Sequence, residues 1–72
     1  MKTINSVTKV FPDGDLVYEI GKTCAINDNE VCPTLITFDG VSATITFERL
    51  KDGEEAYRIL PNVSYLDMVP QS

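Results

Sequence analysis

The stretch that decides the fold is TLITFDGVSATITFERLKDGEEAYRIL, residues 34–60. Two Asp-Gly pairs lie in it, between runs in which apolar and polar residues alternate. Asp-Gly is a strong hairpin signal, because tight turns need a positive φ that glycine adopts without strain. The alternation gives the two strands around Asp39-Gly40 one apolar face and one mostly hydroxyl-bearing face, as in a half-buried antiparallel sheet. The stretch therefore predicts a meander of three strands, near 34–38, 41–50 and 54–60.

The first Asp-Gly pair predicts a register. If Asp39-Gly40 forms a two-residue turn, Phe38 faces Val41 and Ile36 faces Ala43. This arrangement places the apolar residues of both strands on one face of the sheet.

The second pair, Asp52-Gly53, allows two registers. A two-residue loop sets Phe47 opposite Arg58. A three-residue loop, with Gly53 in the left-handed region, sets Phe47 opposite Tyr57 and Ile45 opposite Ile59. We prefer the three-residue loop, because it pairs aromatic with aromatic and continues the same apolar face.

The flanking segments extend this sheet. The turn 11–15 has proline at its first corner and glycine at its last, and it joins a strand near 3–11 to one near 15–20. Both strands carry apolar residues on both faces, so the ribbon is expected to bend across the end of the sheet. The tail 62–69 fits either a final strand or one turn of helix capped by Asn62.

Two cysteines lie in the irregular segment 21–33. A three-residue loop at 27–29 sets Cys24 directly opposite Cys32, which makes them candidates for a disulfide. The alternative is two small, partly buried thiols. Two thiolates supply only half of a zinc site, which would need carboxylates such as Asp28 or Glu30 to complete it. Pro33 cannot donate to a ladder, which predicts an edge or a loop there.

Together these elements predict one all-β domain over residues 1–72, a small antiparallel meander that curls into a five- to six-stranded barrel or half-barrel. Residues 59–66, ILPNVSYL, resemble the close of an SH3 domain, where a strand, a proline turn and a last strand follow one another. The chain lacks that family's tryptophan, N-terminal aromatic motif and acidic specificity loop. The resemblance therefore implies an SH3-like barrel shape and no ligand site.

The composition argues against catalysis. The chain has no histidine, which rules out Ser-His and Cys-His nucleophile pairs and mixed Cys/His zinc sites. Eight of the eleven carboxylates fall in or beside predicted turns, where turn chemistry and solvation explain them. We expect no enzyme, no catalytic residue, no metal and no cofactor.

The net charge of −5 and the scatter of the six basic residues disfavour direct binding to nucleic acid. The sequence has no run approaching the ~18 apolar residues of a membrane span and no signal-peptide pattern at its N-terminus. We therefore expect a cytoplasmic protein with no membrane partner, in which the cysteines are reduced.

The remaining hypotheses concern binding. Tyr18, Tyr65, Leu66 and Met68 are the candidates for a protein-binding surface, since tyrosines are favoured at interfaces, although the two tyrosines could instead pack at the barrel end. The first hypothesis is a non-enzymatic protein–protein interaction module, including a small acidic inhibitor encoded by a phage or other mobile element. The alternative is a self-assembling structural subunit, a small oligomeric β-barrel joined through strand edges or the apolar C-terminal segment.

Overall fold

The computed structural model describes residues 2–71, apart from the side chain of Tyr65. Strands account for 65% of the protein, which confirms the all-β prediction. The elements in chain order are β1 (Lys2–Phe11), β2 (Gly14–Glu19), β3 (Cys24–Ile26), β4 (Asn29–Phe38), β5 (Ala43–Arg49), β6 (Glu55–Leu60), a 3₁₀ turn (Tyr65–Asp67) and β7 (Met68–Pro70).

These strands form one antiparallel sheet. Its main path runs β2-β1-β4-β5-β6, with β3 paired to β4 and β7 paired to β1. The sheet curls through 181° into a half-barrel, as the sequence predicts. Strands β2 and β6 therefore stand at the two ends of the curl.

The core fills the concave face of the sheet. Ile36, Ala43 and Ile45 are completely buried at its centre. Full burial of each of the two isoleucine side chains contributes about 1.5–3 kcal/mol relative to exposure. The other buried apolar residues surround this centre: Ile4, Val7, Tyr18, Val31, Phe38, Phe47, Leu60 and Val63.

The loop between β4 and β5 differs from the predicted two-residue turn. It has four residues, and Phe38 faces Ala43 rather than Val41. The Asp39 carboxylate explains the wider loop, because its Oδ1 accepts hydrogen bonds from the N–H groups of Val41 (2.8 Å) and Ser42 (2.7 Å). The register moves by two residues, so the predicted core face is retained.

The loop between β5 and β6 overturns the preferred register. Counted from the hydrogen-bonded pair Arg49–Glu54, it too has four residues, 50–53, and Phe47 faces Ala56 rather than Tyr57. The Gly53 N–H donates to the Arg49 carbonyl at 2.7 Å, with Gly53 at a φ of 74°. Gly53 is in the left-handed region as predicted, but the register moves by one residue. This shift turns Tyr57 and Ile59 to the outer face of the sheet.

The hairpin that carries the cysteines is also tighter than predicted. Asn27 and Asp28 form a two-residue turn, both with positive φ (49° and 66°). Cys24 therefore faces Val31, and not Cys32. A two-residue turn with positive φ at both positions matches the twist of a hairpin, which is why it replaces the three-residue loop.

Two further segments differ in detail from the sequence predictions. Pro33 lies in β4, an interior strand, and a register irregularity follows it before Leu35; bulges are where strands tolerate proline. The tail adopts both of its predicted alternatives, since the 3₁₀ turn is followed directly by β7. The side chains of Ser64 and Asp67, rather than that of Asn62, hydrogen-bond to the backbone of this turn.

Candidate protein-binding surface on strand β6

Strand β6 ends the sheet with one backbone edge unpaired among residues 2–71. The Arg49 N–H donates to the Glu54 carbonyl at 2.9 Å, so this pair is hydrogen-bonded. In an antiparallel ladder bonded and non-bonded pairs alternate, so the even-numbered residues of β6 bond to β5. The backbone groups that point to the free edge are those of Glu55, Tyr57 and Ile59.

The outer face of the sheet carries an apolar patch beside this edge. Tyr57 is 71% exposed and Ile59 is 63% exposed. In the register, Tyr57 lies next to Thr46 and Leu35 in one row across β6, β5 and β4, and Leu35 is also exposed. We call Leu35, Tyr57 and Ile59 the outer patch. Exposed aromatic and aliphatic residues grouped in this way are typical of interaction surfaces.

Two glutamates oppose each other at one end of the patch. Glu48 and Glu55 are direct cross-strand partners in a non-hydrogen-bonded pair, in which opposed side chains lie close together. Both are exposed, and neither forms an ion pair within the described chain. Like charges placed directly opposite are destabilising, so a cation bound beside this pair would reduce the repulsion.

A groove of about 310 Å³ lies between β6, β5 and the tip of the β3–β4 hairpin. Phe47 and Val31, both buried, belong to its apolar lining, together with Ile26 and Ala56. The four consecutive residues Glu55–Arg58 also line it. Because successive residues of a strand point to opposite faces, a groove lined by all four must reach the free edge of β6.

An ion-pair cluster lies at one end of the groove. Arg49 Nε donates to Asp52 Oδ1 at 2.9 Å, and Arg49 Nη2 donates to carboxylate oxygens of Asp52 and Glu54. The Arg49 hydrogen bond, helped by the Glu54 N–H, lowers the pKa of Asp52 to about 2, and the same contacts raise the pKa of Arg49. The cluster fixes the β5–β6 loop and leaves the Arg49 charge neutralised.

Tyr18 and Arg58 join the two ends of the curl. The Tyr18 ring packs edge-to-face on Phe47, with centroids 5.2 Å apart, and the Arg58 guanidinium lies 5.9 Å from the Tyr18 centroid. The Tyr18 hydroxyl is buried and, among the described residues, has no hydrogen-bond partner of acceptable geometry. Burial raises the pKa of Tyr18, and the charge of Arg58 opposes that shift.

The predicted surface residues whose side chains the structure describes do not form one exposed patch. Tyr18 is only 2% exposed, so the prediction that it is a surface anchor is wrong, and its barrel-packing alternative holds. Leu66, at 97% exposed, lies on the surface, whereas Met68 is partly buried against the core. The side chain of Tyr65 lies outside the described residues. No binding role of Leu66 or Met68 is tested by these positions.

Cys24 and Cys32 are free thiols, so the candidate disulfide is not formed. Burial, followed by the neighbouring Cys32, raises the pKa of Cys24, which keeps its thiol protonated. A raised pKa lowers nucleophilic and metal-binding reactivity, because the thiolate is the reactive form.

Two kinds of feature are absent from the part of the chain that the structure describes. No three or more Cys, Asp or Glu side chains converge there into a cluster that could hold a metal ion. Nor does this part contain a helix with the length and apolarity needed to cross a membrane.

Sequence reasoning missed the outer patch because the preferred register assigned Tyr57 and Ile59 to the core. The sequence also permitted the other register of β6, in which the even-numbered residues Ala56, Arg58 and Leu60 face the core. That register places the charged side chain of Arg58 on the concave face, which is acceptable only beside an open groove.

Comparison with known proteins yields no relative: no family model, no curated protein and no solved structure gives a significant match. The function is therefore argued from the geometry of β6 and its surroundings.

Proposed function

We propose that this chain is a non-enzymatic protein-binding module that contacts its partner through the outer patch and the free edge of β6. The observation that carries the proposal is that, within residues 2–71, β6 ends the sheet with an unpaired edge and with every side chain from Glu55 to Ile59 exposed. Natural proteins protect such edges with proline, charged residues or a covering segment; β6 contains no proline or lysine, and its charged residues are Glu55 and Arg58.

The charge of the chain agrees with this proposal. With a net charge of −5 and unneutralised glutamates beside the patch, the surface favours a basic partner. An acidic inhibitor of a nucleic-acid-binding protein is one form that such a module could take. Free thiols fit the cytoplasmic location that we propose for it.

Self-assembly is the second candidate, since a free edge can pair with the same edge of another copy. Two copies paired through β6 would bring two acidic surfaces together, which works against this arrangement. Light scattering separates the candidates, because the binding module is expected to stay at the mass of one chain, 8.0 kDa.

The proposal is tested by capture of binding partners with three immobilised forms of the chain. The first is unchanged, the second carries Tyr57→Thr and Ile59→Thr, and the third carries Val10→Thr and Val17→Thr. Val10 and Val17 are also exposed strand residues, but they lie on β1 and β2 and serve as the matched control.

A protein retained by the unchanged and control forms and lost from the β6 variant supports the proposal. Equal retention by all three forms contradicts it. A defined oligomer of the unchanged chain that the β6 substitutions dissociate would replace it with self-assembly.

A further inference from the structure

We propose that β6 binds an extended basic segment of another protein by β-strand addition, and that the segment inserts an apolar side chain into the groove. The inference rests on the proposed function, and it adds the conformation and the chemistry of the partner.

The free edge determines the conformation of the partner. Glu55, Tyr57 and Ile59 each direct an N–H and a C=O away from β5, at a spacing of two residues. Only another extended backbone presents complementary groups at the same spacing. A folded partner surface without a strand would leave these groups to water.

The groove determines one face of the added strand. Since the groove reaches the edge of β6 on the concave side, alternate side chains of an added strand point into it. There they meet Phe47, Val31 and Ala56, while the Arg49 charge is already neutralised by Asp52 and Glu54. A volume of about 310 Å³ accommodates an apolar side chain of any size, so we expect Leu, Ile, Met or Phe.

The glutamates determine the other face. Side chains of the added strand that point outward lie beside Glu55 or beside Tyr57 and Ile59. A lysine or arginine beside Glu55 would supply the cation that Glu48 and Glu55 lack. Apolar residues further along would cover the outer patch.

A second copy of this chain does not meet these requirements. An antiparallel pairing of two β6 strands that keeps both outer faces on one side, with the Tyr57 residues together, sets Glu55 opposite Ile59 of the second copy. No basic residue then lies opposite Glu48 and Glu55, and four carboxylates stay unneutralised. The charge complementarity therefore favours a basic segment of another protein.

The test is selection from a displayed library of random linear peptides against the unchanged chain. The binders are expected to share an apolar residue flanked by lysine or arginine at adjacent positions. In NMR spectra the bound peptide should protect the Glu55, Tyr57 and Ile59 amides from hydrogen exchange.

Two substitutions then separate the two faces. Replacing the shared apolar residue of a peptide by alanine should weaken binding about tenfold or more, as expected for an emptied apolar pocket. Glu55→Gln should weaken it about two- to fivefold and reduce its salt dependence, as for an exposed ion pair. Glu19→Gln is the matched control, since Glu19 is an exposed strand residue on β2, and it should leave the affinity unchanged.

Three results would overturn the inference. They are the absence of binders, binders that lack an apolar residue flanked by lysine or arginine, and binding without protection of the Glu55, Tyr57 and Ile59 amides. If one of these results is obtained but partner capture still depends on Tyr57 and Ile59, the strand-addition inference fails and the proposed function stands. If capture is also independent of them, both proposals fail.

Discussion

Strands β5 and β6 are neighbours in one sheet, and both are rich in aliphatic and aromatic residues, yet their environments differ completely. In β5 the inner residues Ala43, Ile45 and Phe47 are buried, whereas in β6 only Leu60 is. Strand β5 is paired on both edges, and the opposite wall of the curl covers its inner face through Tyr18. Within residues 2–71, strand β6 is paired on one edge only.

The difference teaches that the strand and the face on which a side chain lies, more than its residue type, decide whether it is buried here. Ile45 and Ile59 are the same residue one strand apart, and one is completely buried while the other is 63% exposed. Strand β5 therefore belongs to the core, and β6 is the strand that we propose for binding; each prediction below tests whether the stability of the fold depends on the two regions as this division requires.

The largest expected effect comes from the matched pair Ile45→Ala and Ile59→Ala. Ile45→Ala leaves a cavity in the centre of the core and should lower the free energy of unfolding by about 2–5 kcal/mol. Ile59→Ala removes an exposed side chain and should lower it by less than about 1 kcal/mol. Urea titration measures both values, and comparable losses would break the division between the two strands.

The next effect concerns Tyr18, which contacts β5 through Phe47 and lies beside Arg58 of β6. Tyr18→Phe removes a buried hydroxyl that makes no hydrogen bond of acceptable geometry to a described residue, while keeping the ring contact with Phe47. We expect the free energy of unfolding to rise by about 1 kcal/mol, at the low end of the cost of an unpaired buried polar group.

Thermal unfolding measures this change, and Tyr57→Phe is its control because that side chain is exposed. A lower melting temperature for Tyr18→Phe would mean that the hydroxyl has a stabilising partner, with Arg58 the nearest candidate.

A smaller effect is expected from pH, at the loop that joins the two strands. The folded-state pKa of Asp52 is about 2, below its unfolded value near 3.9. A lowered carboxyl pKa stabilises the fold fully above the unfolded value, and the contribution is lost as the pH falls from about 4 through about 2.

Urea unfolding at a series of pH values measures this loss. Asp52→Asn should be less stable than the unchanged chain at pH 7 and should lose less stability over the acid range. Equal acid sensitivity of the two forms would show that Asp52 has no part in holding the β5–β6 loop.

The smallest effect on stability should come from Tyr57→Thr. Threonine keeps the preference for a strand and removes only an exposed ring, so the free energy of unfolding should change by no more than about 0.5 kcal/mol. A larger loss would place Tyr57 among the residues that stabilise the sheet and would weaken the assignment of β6 to binding.

The fold was predictable from sequence because turn chemistry and alternation act locally. The Asp-Gly pairs marked both loops of the meander, and the strand near 34–38 emerged with Ile36 and Phe38 on the correct face. That face survived an error in loop length because the error was two residues, an even number.

The site was less predictable because the second loop was misjudged by one residue, which exchanges the two faces. In the observed loop Arg49 contacts Asp52 and Glu54, an interaction that alternation does not reveal. Apolar residues occupy both odd-numbered and even-numbered positions of β6, so the sequence pattern was compatible with either set facing the core. The burial of Tyr18 depends on the curl that brings β2 over Phe47, which no local pattern encodes.

The pairing of β1 with β7 also has a consequence for how quickly the protein folds. Ile4 pairs with Pro70 and Val7 with Met68, so β1 finds one of its partners almost at the far end of the chain. Closing so long a loop loses chain entropy before any contact is gained, which slows β-proteins relative to helical ones. We expect the meander β4-β5-β6 to form early and β7 to dock last, in a reaction on the millisecond-to-second scale typical of small barrels. Until that step is complete the nascent sheet exposes a second unpaired edge, along β1, and newly made chains are most prone to mispairing during that interval.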